Sequence, residues 1–241
     1  MPTQLSETAT SGVRLITAAG PGARIAFSDR NGGVSDAPYD SLNLAITVGD
    51  DRARVLENRA RVAAAAGFDG ERLALARQVH GADVIEATAT DSGMLGEADV
   101  LVTTAPGTTI GIMTADCSPV ILVGRRRAAV VHAGWRGVVA GAVERGLEEV
   151  PDATHAWIGP SIHACCYEVG PEVVDAFRAR GLPVAGPDRV DPSRAATAIL
   201  HRAGIENVVV SDDCTSCDQR YFSFRRDGVT GRQGGFVTLT T

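Results

Sequence analysis

The chain has 241 residues, of which 44% are hydrophobic, and carries a formal net charge of −6 at pH 7. This length and apolar content suffice for a folded core, whereas the negative charge excludes a general nucleic-acid backbone binder, which needs a basic surface. All of the basic residues are arginine, so chemistry that requires a lysine Schiff base or a phosphate-loop lysine is excluded as well.

The cysteines and the N-terminus indicate a reduced protein. Five cysteines are an odd number, and Cys165 and Cys166 are adjacent, which makes a poor disulfide framework. The first residues lack the basic start and apolar run of an export signal, and no stretch of 18 apolar residues occurs. We therefore expect a cytoplasmic monomer or weak homo-oligomer, with neither a membrane nor nucleic acid as a partner.

The domain boundaries follow from local composition. Residues 1–12 are small and polar, so we expect a flexible N-terminus there. Residues 13–241 show no internal repeat, linker or low-complexity stretch, and we expect them to form a single domain.

The first part of this domain predicts a strand, a long loop and a helix. Residues 24–44, RIAFSDRNGGVSDAPYDSLNL, begin as a strand and continue as a loop punctuated by Gly, Asp and Pro. A loop of this length inside a compact domain is typically functional or disordered. The helix that follows is expected to begin after Asp50 or Asp51 as N-cap and to end at Gly67.

Short strands dominate the middle of the chain. Residues 75–132 contain several β-rich runs separated by Gly, Pro, Asp and charged turns, and residues 135–150 then have the apolar spacing of a helix. Farther on, the pattern predicts a strand in THAWIGP, helices in GPEVVDAFRARG and DPSRAATAILHRAG, and a strand in IENVVVSDDC. Because strands and helices alternate without a regular βα repeat, we predict an α+β fold with mixed sheets.

Three residues with metal-binding side chains each stand at the end of an apolar strand beside a turn. These residues are His80, Cys117 and His132. If the strand ends converge, two nitrogens and one sulfur face one cavity, which is the ligand set of a zinc site with an open fourth position. Their separations fit no short zinc motif, so the spacing alone is a weak signal, and hydrogen-bonded strand-end histidines with an ordinary buried thiol are the alternative interpretation.

Several motifs occur together in one order and resemble a known family. They are GGVSDAPYDSLNL, VGDD, ENR, RQVHG, TADCSPV, HAGWRG, IGPSIHACCYEVG and FSFRRDGVTGRQG. Over roughly residues 25–236 they are similar to the multicopper-oxidase-type laccase-domain family, first described as polyphenol oxidases and later recognised as zinc-dependent purine nucleoside phosphorylases with adenosine deaminase activity.

The resemblance implies a fold, a metal site and substrates. It implies an α/β/β/α layered sandwich, with His80, Cys117 and His132 as ligands of Zn²⁺, and purine nucleosides and phosphate as substrates. Copper at the same site is an alternative, because Cu²⁺ generally outcompetes Zn²⁺ for such ligands.

The residue types suggest roles for the reaction. Arg59, Arg136 and Arg225 lie in family motifs and are candidates for binding phosphate, and Asp116 is a candidate for proton transfer. Asn43 is a substrate-loop candidate by resemblance only. Each role has a structural alternative: Arg136 in a surface ion pair, and Asp116 and Asn43 in turns.

The remaining cysteines give no clear site. Cys214-x-x-Cys217 is a lone pair, for which free thiols are the simpler interpretation. Cys165 and Cys166 are expected to serve packing, since neighbouring cysteines do not readily share one tetrahedral ion.

Three other functions compete with the phosphorylase. A copper-dependent polyphenol oxidase of the multicopper type needs histidine-rich centres, which five histidines without a His-x-His motif do not provide. A cysteine hydrolase or amidase acting on cell-wall peptide precursors would use Cys117 as nucleophile with His80 or His132 as base. A binding module with a structural zinc would need four protein ligands.

Overall fold

The computed structural model describes residues 4–240. The strands are β1 Ser6–Thr10, β2 Val13–Gly20, β3 Ala23–Ser28, β4 Leu73–Arg77, β5 Val84–Ala87, β6 Gly93–Glu97, β7 Val100–Thr103, β8 Thr109–Thr114, β9 Ser118–Val123, β10 Ala128–Ala133, β11 His155–Ile158, β12 Asn207–Val210 and β13 Gln233–Leu239. The helices are α1 Arg52–Ala66, α2 Trp135–Ala140, α3 Ala142–Glu149, α4 Pro171–Ala179, α5 Pro192–Arg202 and α6 Phe224–Asp227. None of the helices in residues 4–240 is both long and apolar enough to span a bilayer.

Within the described residues the strands form two mixed sheets. The seven-stranded sheet has the order β1-β2-β3-β13-β8-β4-β6, and the six-stranded sheet has the order β12-β11-β9-β10-β7-β5. Parallel pairs, such as β4 with β8 and β11 with β12, occur beside antiparallel pairs, such as β9 with β10. The predicted α+β fold with mixed sheets is confirmed.

Three apolar clusters show how the layers pack. One joins the inner faces of the two sheets and includes Phe27, Val130 and Trp157. A second lies between the six-stranded sheet and the helices α2 to α5, and a third lies between the seven-stranded sheet and α1. The layers are therefore α/β/β/α, as expected. Strands β9 and β10 are buried along their whole length, because one face meets the other sheet and the opposite face meets helices.

Helix α1 begins and ends as predicted. Asp51 is the N-cap, and its carboxylate accepts hydrogen bonds from the backbone N–H groups of Ala53 and Arg54. Gly67 ends the helix in the left-handed conformation with φ 72°.

The N-terminus differs from the expected flexible segment. Ser6–Thr10 pairs antiparallel with β2, and residues 1–3 lie outside the described residues. The link between the strands has positive φ at both central residues, 51° at Ser11 and 84° at Gly12, which is typical of a type I′ hairpin turn. Strand β1 is exposed along its length, so it needs no apolar residues, and a polar composition was misleading there.

Two further elements differ from the pattern. The helix expected over residues 135–150 is divided into α2 and α3 at Gly141, which has φ 91°. Strand β6, which contains two glycines, lies at the edge of its sheet, and the β-rich pattern did not include it.

Candidate metal centre and active site

The three candidate metal ligands meet where strands from both sheets end. His80 follows β4 of the seven-stranded sheet, and His132 lies at the end of β10 in the six-stranded sheet. Cys117 stands in the turn from β8 to β9, which passes from one sheet to the other. One ligand atom of each residue lies within 4.8 Å of the others. The condition set for a shared metal site, that these strand ends converge, is therefore met.

The distances between the donor atoms suit a tetrahedral ion. The Sγ atom of Cys117 lies 3.9 Å from Nε2 of His80, and tetrahedral zinc would separate a sulfur and a nitrogen ligand by about 3.5 Å. Among the described residues this group has three such ligands, so a fourth coordination position is left for water or substrate. The donor set and its spacing fit a catalytic zinc site.

Asp99, which no motif or spacing in the sequence indicated, orients two of the ligands. Its Oδ1 lies 2.7 Å from Nδ1 of His132 and accepts the backbone N–H of His80 at 2.9 Å. Its Oδ2 accepts the N–H groups of Val79 at 3.1 Å and Gly81 at 2.7 Å. The contact between Asp99 Oδ1 and His132 Nδ1 places the proton of the neutral imidazole on Nδ1 and leaves Nε2 free for a metal. The signal in the sequence was an Asp immediately before the buried strand β7.

The charges at the site favour a thiolate. Burial by itself would raise the pKa of Cys117, but the imidazoles of His132 and His80 lower it to about 6. Burial likewise opposes the charged form of His132, yet the thiolate of Cys117 and the carboxylate of Asp99 raise its pKa to about 9. Without a metal, Cys117 and His132 thus form an ion pair at neutral pH, and the sulfur is already in the form that binds metals.

The backbone around the ligands is specialised. His80 has φ 61° and Asp116 has φ 92°, conformations that non-glycine residues rarely adopt and that occur preferentially at functional sites. Gly134 follows His132 closely, and a Cβ atom there would lie 2.8 Å from Cys117 Sγ and 3.0 Å from His80 Cδ2. The absence of a side chain at Gly134 therefore makes room for the ligands.

The ligands face a cavity of about 740 Å³. Its wall includes three aromatic side chains, which are Trp135, Tyr167 and Phe224. Burial raises the pKa of Tyr167 to about 12, so its hydroxyl stays protonated and remains able to donate a hydrogen bond. A cavity of this size and lining suits a small organic molecule with a flat ring.

Five arginines make the same cavity suited to an anion, and they are Arg59, Arg77, Arg136, Arg225 and Arg232. The three arginines predicted from the sequence are among them. Arg136 stacks on Trp135 with Cζ 4.4 Å from the ring centroid, and Arg225 lies over Tyr167 at 4.9 Å. Burial lowers the pKa values of Arg59 and Arg232, so a bound anion would offset the cost of holding these charges away from water. Arg232 was not identified from the sequence, although it lies in the quoted motif FSFRRDGVTGRQG.

Asp116 lines the cavity beside Cys117, and both of its carboxylate oxygens have protein partners. Oδ1 accepts a hydrogen bond from the Thr215 hydroxyl at 2.7 Å, and Oδ2 accepts the backbone N–H of Arg225 at 2.7 Å. Each oxygen keeps further acceptor capacity. Asp116 therefore positions the loop that carries Thr215 and the first turn of α6, which carries Arg225, while also lining the cavity.

Asn43 lies behind the cavity wall. It is fully buried, and its Oδ1 accepts the N–H groups of Ala45 at 3.1 Å and Arg232 at 2.9 Å. Its amide donates to the carbonyl of Ala45 and to Asp50 Oδ2. The structure thus connects Asn43 to the cavity through Ala45 and Arg232, which line it.

The sequence is similar to a described family over most of its length. The pattern of the family described as "Multi-copper polyphenol oxidoreductase laccase" matches residues 24–240. The purine nucleoside phosphorylase YfiH of Shigella flexneri is 38% identical over 231 residues, covering 90% of this chain and 94% of that protein. The purine nucleoside phosphorylase of Deinococcus radiodurans is 40% identical over 228 residues, covering 89% and 88% of the two chains.

Solved structures show the same architecture. YlmD from Geobacillus stearothermophilus superposes with a TM-score of 0.89 at 32% identity and covers 100% of both chains. The Bacillus licheniformis protein YfiH, described as hypothetical, superposes with a TM-score of 0.86 at 29% identity and covers 95% of this chain and 97% of its own.

Proposed function

The chain belongs to the multi-copper polyphenol oxidoreductase laccase family, and from that premise we propose that it is a zinc-dependent purine nucleoside phosphorylase. Its curated relatives carry that name at 38% and 40% identity. The observation that carries the proposal is the combination, on one cavity wall, of the His80, Cys117 and His132 donors with five arginines and three aromatic rings. A phosphorylase needs these elements, because it must hold an anion and a purine together.

The arginines support binding of the phosphate. In phosphorolysis a phosphate oxygen forms a bond to the anomeric carbon of the ribose while the bond from that carbon to the purine nitrogen breaks, which gives ribose 1-phosphate and the free base. Guanidinium groups bind phosphate through paired N–H donors. We assign this role to Arg59 and Arg136, with Arg225 placing the substrate and Asn43 holding the cavity wall through Ala45 and Arg232.

The aromatic rings and Asp116 support the departure of the base. Trp135, Tyr167 and Phe224 line the cavity, so a purine bound there would meet aromatic side chains. The leaving purine must gain a proton, and we assign this transfer to Asp116, whose carboxyl group lines the cavity. We propose adenosine, inosine and guanosine as substrates, with methylthioadenosine as a further one.

The donor set supports zinc as the resident ion. When bound at His80, Cys117 and His132, zinc would supply Lewis-acid chemistry for holding phosphate and for activating water in the deamination of adenosine. Copper bound at these ligands would instead support slow oxidation of phenols. We further propose a cytoplasmic location, because all five cysteines are free thiols in the structure.

One observation favours a second candidate, a cysteine hydrolase or amidase. Cys117, His132 and Asp99 are arranged as a nucleophile, a base and an orienting carboxylate, and the pKa of Cys117 is lowered to about 6. This order of contacts is that of a catalytic triad. A metal bound by Cys117 would remove the free nucleophile, so metal dependence separates the two functions.

The test is phosphate-dependent cleavage of inosine with metal analysis on the same preparation. We expect turnover only when phosphate is present, and Cys117→Ala to lose one equivalent of zinc together with turnover while the chain stays folded. His201→Ala, which replaces an exposed histidine outside the cavity, is the matched control and should keep both. Full phosphorolysis by the Cys117→Ala chain would contradict the proposal, and amide hydrolysis by metal-free wild type would favour the hydrolase.

A further inference from the structure

The four cysteines outside the cavity lie together in space. Cys165, Cys166, Cys214 and Cys217 place their sulfur atoms within 4.8 Å of one another. The sequence suggested two unrelated pairs, but β11 and β12 are parallel neighbours and the loops after them run side by side. The isolated bridge between Ser161 and Cys214 continues this pairing beyond the strands. The cluster is therefore a result of the sheet topology.

The sulfur separations suit a tetrahedral ion. Cys217 Sγ lies 3.1 Å from Cys166 Sγ and 3.6 Å from Cys165 Sγ. Four sulfurs at about 2.3 Å from a zinc ion would be about 3.8 Å from one another, whereas a disulfide requires about 2.05 Å. The observed separations lie nearer to the first arrangement, and the four thiols are free.

Tight turns hold each pair of cysteines toward the other. The N–H of Cys166 donates to the carbonyl of His163 at 3.0 Å, and the N–H of Cys217 donates to the carbonyl of Cys214 at 3.1 Å. The second turn has the Cys-x-x-Cys spacing of a zinc-binding loop. Adjacent cysteines thus reach one centre because the chain turns at Cys165 and Cys166 and the partner loop meets them.

Backbone and arginine contacts hold the two loops that carry the cysteines. The N–H of His163 donates to Cys214 Sγ at 3.5 Å. Two guanidinium groups bind the loops themselves: Arg189 donates to the carbonyl of Cys165 at 2.8 Å, and Arg226 donates to that of Thr215 at 2.9 Å. These contacts fix the backbone of both loops beside the four sulfurs.

We propose that Cys165, Cys166, Cys214 and Cys217 form a second metal site, a closed four-thiolate centre that binds a tetrahedral divalent cation of the zinc class. Each thiol loses its proton to solvent, and four sulfur-to-metal bonds form without any change of oxidation state. The site has no open position, so its role is structural. The bound ion would connect two loops that shape the cavity. One loop carries Tyr167, which lines the cavity, and the other carries Thr215, whose hydroxyl donates to Asp116.

Cobalt titration of the Cys117→Ala chain tests the site without replacing any of its ligands. The chain has five cysteines in all, so every thiol left in this variant belongs to the proposed centre. We expect the reduced, metal-free variant to develop a thiolate-to-cobalt charge-transfer band that saturates at one equivalent, and Cys117→Ala/Cys217→Ser to lose that band. A folded Cys117→Ala chain, judged by circular dichroism, that gives no thiolate band would overturn the proposal.

Protection from alkylation provides a second test on the wild-type chain. Cys165 and Cys217 are exposed in the structure, and they should react with iodoacetamide in the metal-free protein but become protected when two equivalents of zinc are bound. Equal alkylation of both cysteines with and without zinc would contradict the site, as would a Cys166–Cys217 disulfide that forms under air in the zinc-loaded chain. Neither readout depends on turnover, so failure here is distinct from failure of the proposed phosphorylase activity.

Discussion

Replacement of Asp99 by Asn is the sharpest test of how the metal ligands are held. Asp99 accepts four hydrogen bonds, two on each oxygen, and the substitution turns one oxygen into an NH₂ group. If the NH₂ group faces Val79 and Gly81, the backbone N–H groups of these two residues point at another donor and lose their acceptor. If the amide turns over, the NH₂ group faces His132 and His80, and His132 must move its proton to Nε2, which blocks metal binding. In both orientations two acceptor contacts are lost.

The size of the effect follows from those two contacts. Hydrogen bonds to a charged group contribute about 1.5–3 kcal/mol each, so we expect the free energy of unfolding of the metal-free chain to fall by about 3 kcal/mol or more. Removal of a carboxylate that orients a metal-bound histidine typically lowers metal affinity about 10–100-fold, which we expect here for zinc. Chemical denaturation measures the first quantity, and competition with a chelator, corrected for the folded fraction, measures the second.

Asp91→Asn is the matched control for this experiment. The Asp91 carboxylate also accepts two hydrogen bonds, from the N–H and hydroxyl of Thr88, but it is not part of the cavity wall. The Asp91→Asn substitution should therefore leave zinc affinity unchanged. An Asp99→Asn chain that holds zinc as tightly as the wild type would refute the proposed role of Asp99.

Two further predictions concern the same centre. Gly134→Ala places a methyl group 2.8 Å from Cys117 Sγ and 3.0 Å from His80 Cδ2. Because φ at Gly134 is −72°, which alanine readily adopts, the metal-free chain should fold. Its zinc affinity, measured by competition with a chelator, should fall about tenfold or more. Gly186→Ala, whose Cβ would meet only Asp188 Oδ1 at 3.9 Å, is the control, and equal affinity in the two variants would show that the contact is harmless. The second prediction is that zinc affinity at this centre rises with pH, because zinc displaces protons. Between neutral pH and the pKa of His132, about 9, zinc displaces one proton from this pair of residues, because Cys117, with a pKa of about 6, is already a thiolate. Log affinity should therefore rise by about one per pH unit in this range; a flat profile in Cys217→Ser, which keeps all three ligands of this centre, would contradict the assigned charges.

The sequence was informative where local pattern determines structure. Helix α1 was predicted because Asp51 and Gly67 are a favourable N-cap and a favourable C-terminal residue. His80, Cys117 and His132 were identified because each ends an apolar strand, and because the family motifs contain them. These features depend on residues close together in the chain.

The features that were missed depend on contacts between distant parts of the chain. Asp99 precedes a strand as many turn residues do, and only the pairing of β7 with β10 places its carboxylate beside His132. The four clustered cysteines come from two loops that meet because β11 and β12 are neighbours, and strand order cannot be deduced from either segment alone. Arg232 reaches the cavity because β13 pairs with β8.

Because the three cavity ligands come from both sheets, metal binding should affect local opening of the fold. His80 follows a strand of one sheet, His132 belongs to the other sheet, and Cys117 lies in the turn that connects the two. An ion bound to all three residues would therefore crosslink the two sheets at one end of the sandwich. Opening of the two layers at that end would then require release of the ion. Amide hydrogen exchange in β8, β9 and β10 should accordingly slow when the ion is bound, which links occupancy of the centre to the rigidity of the core.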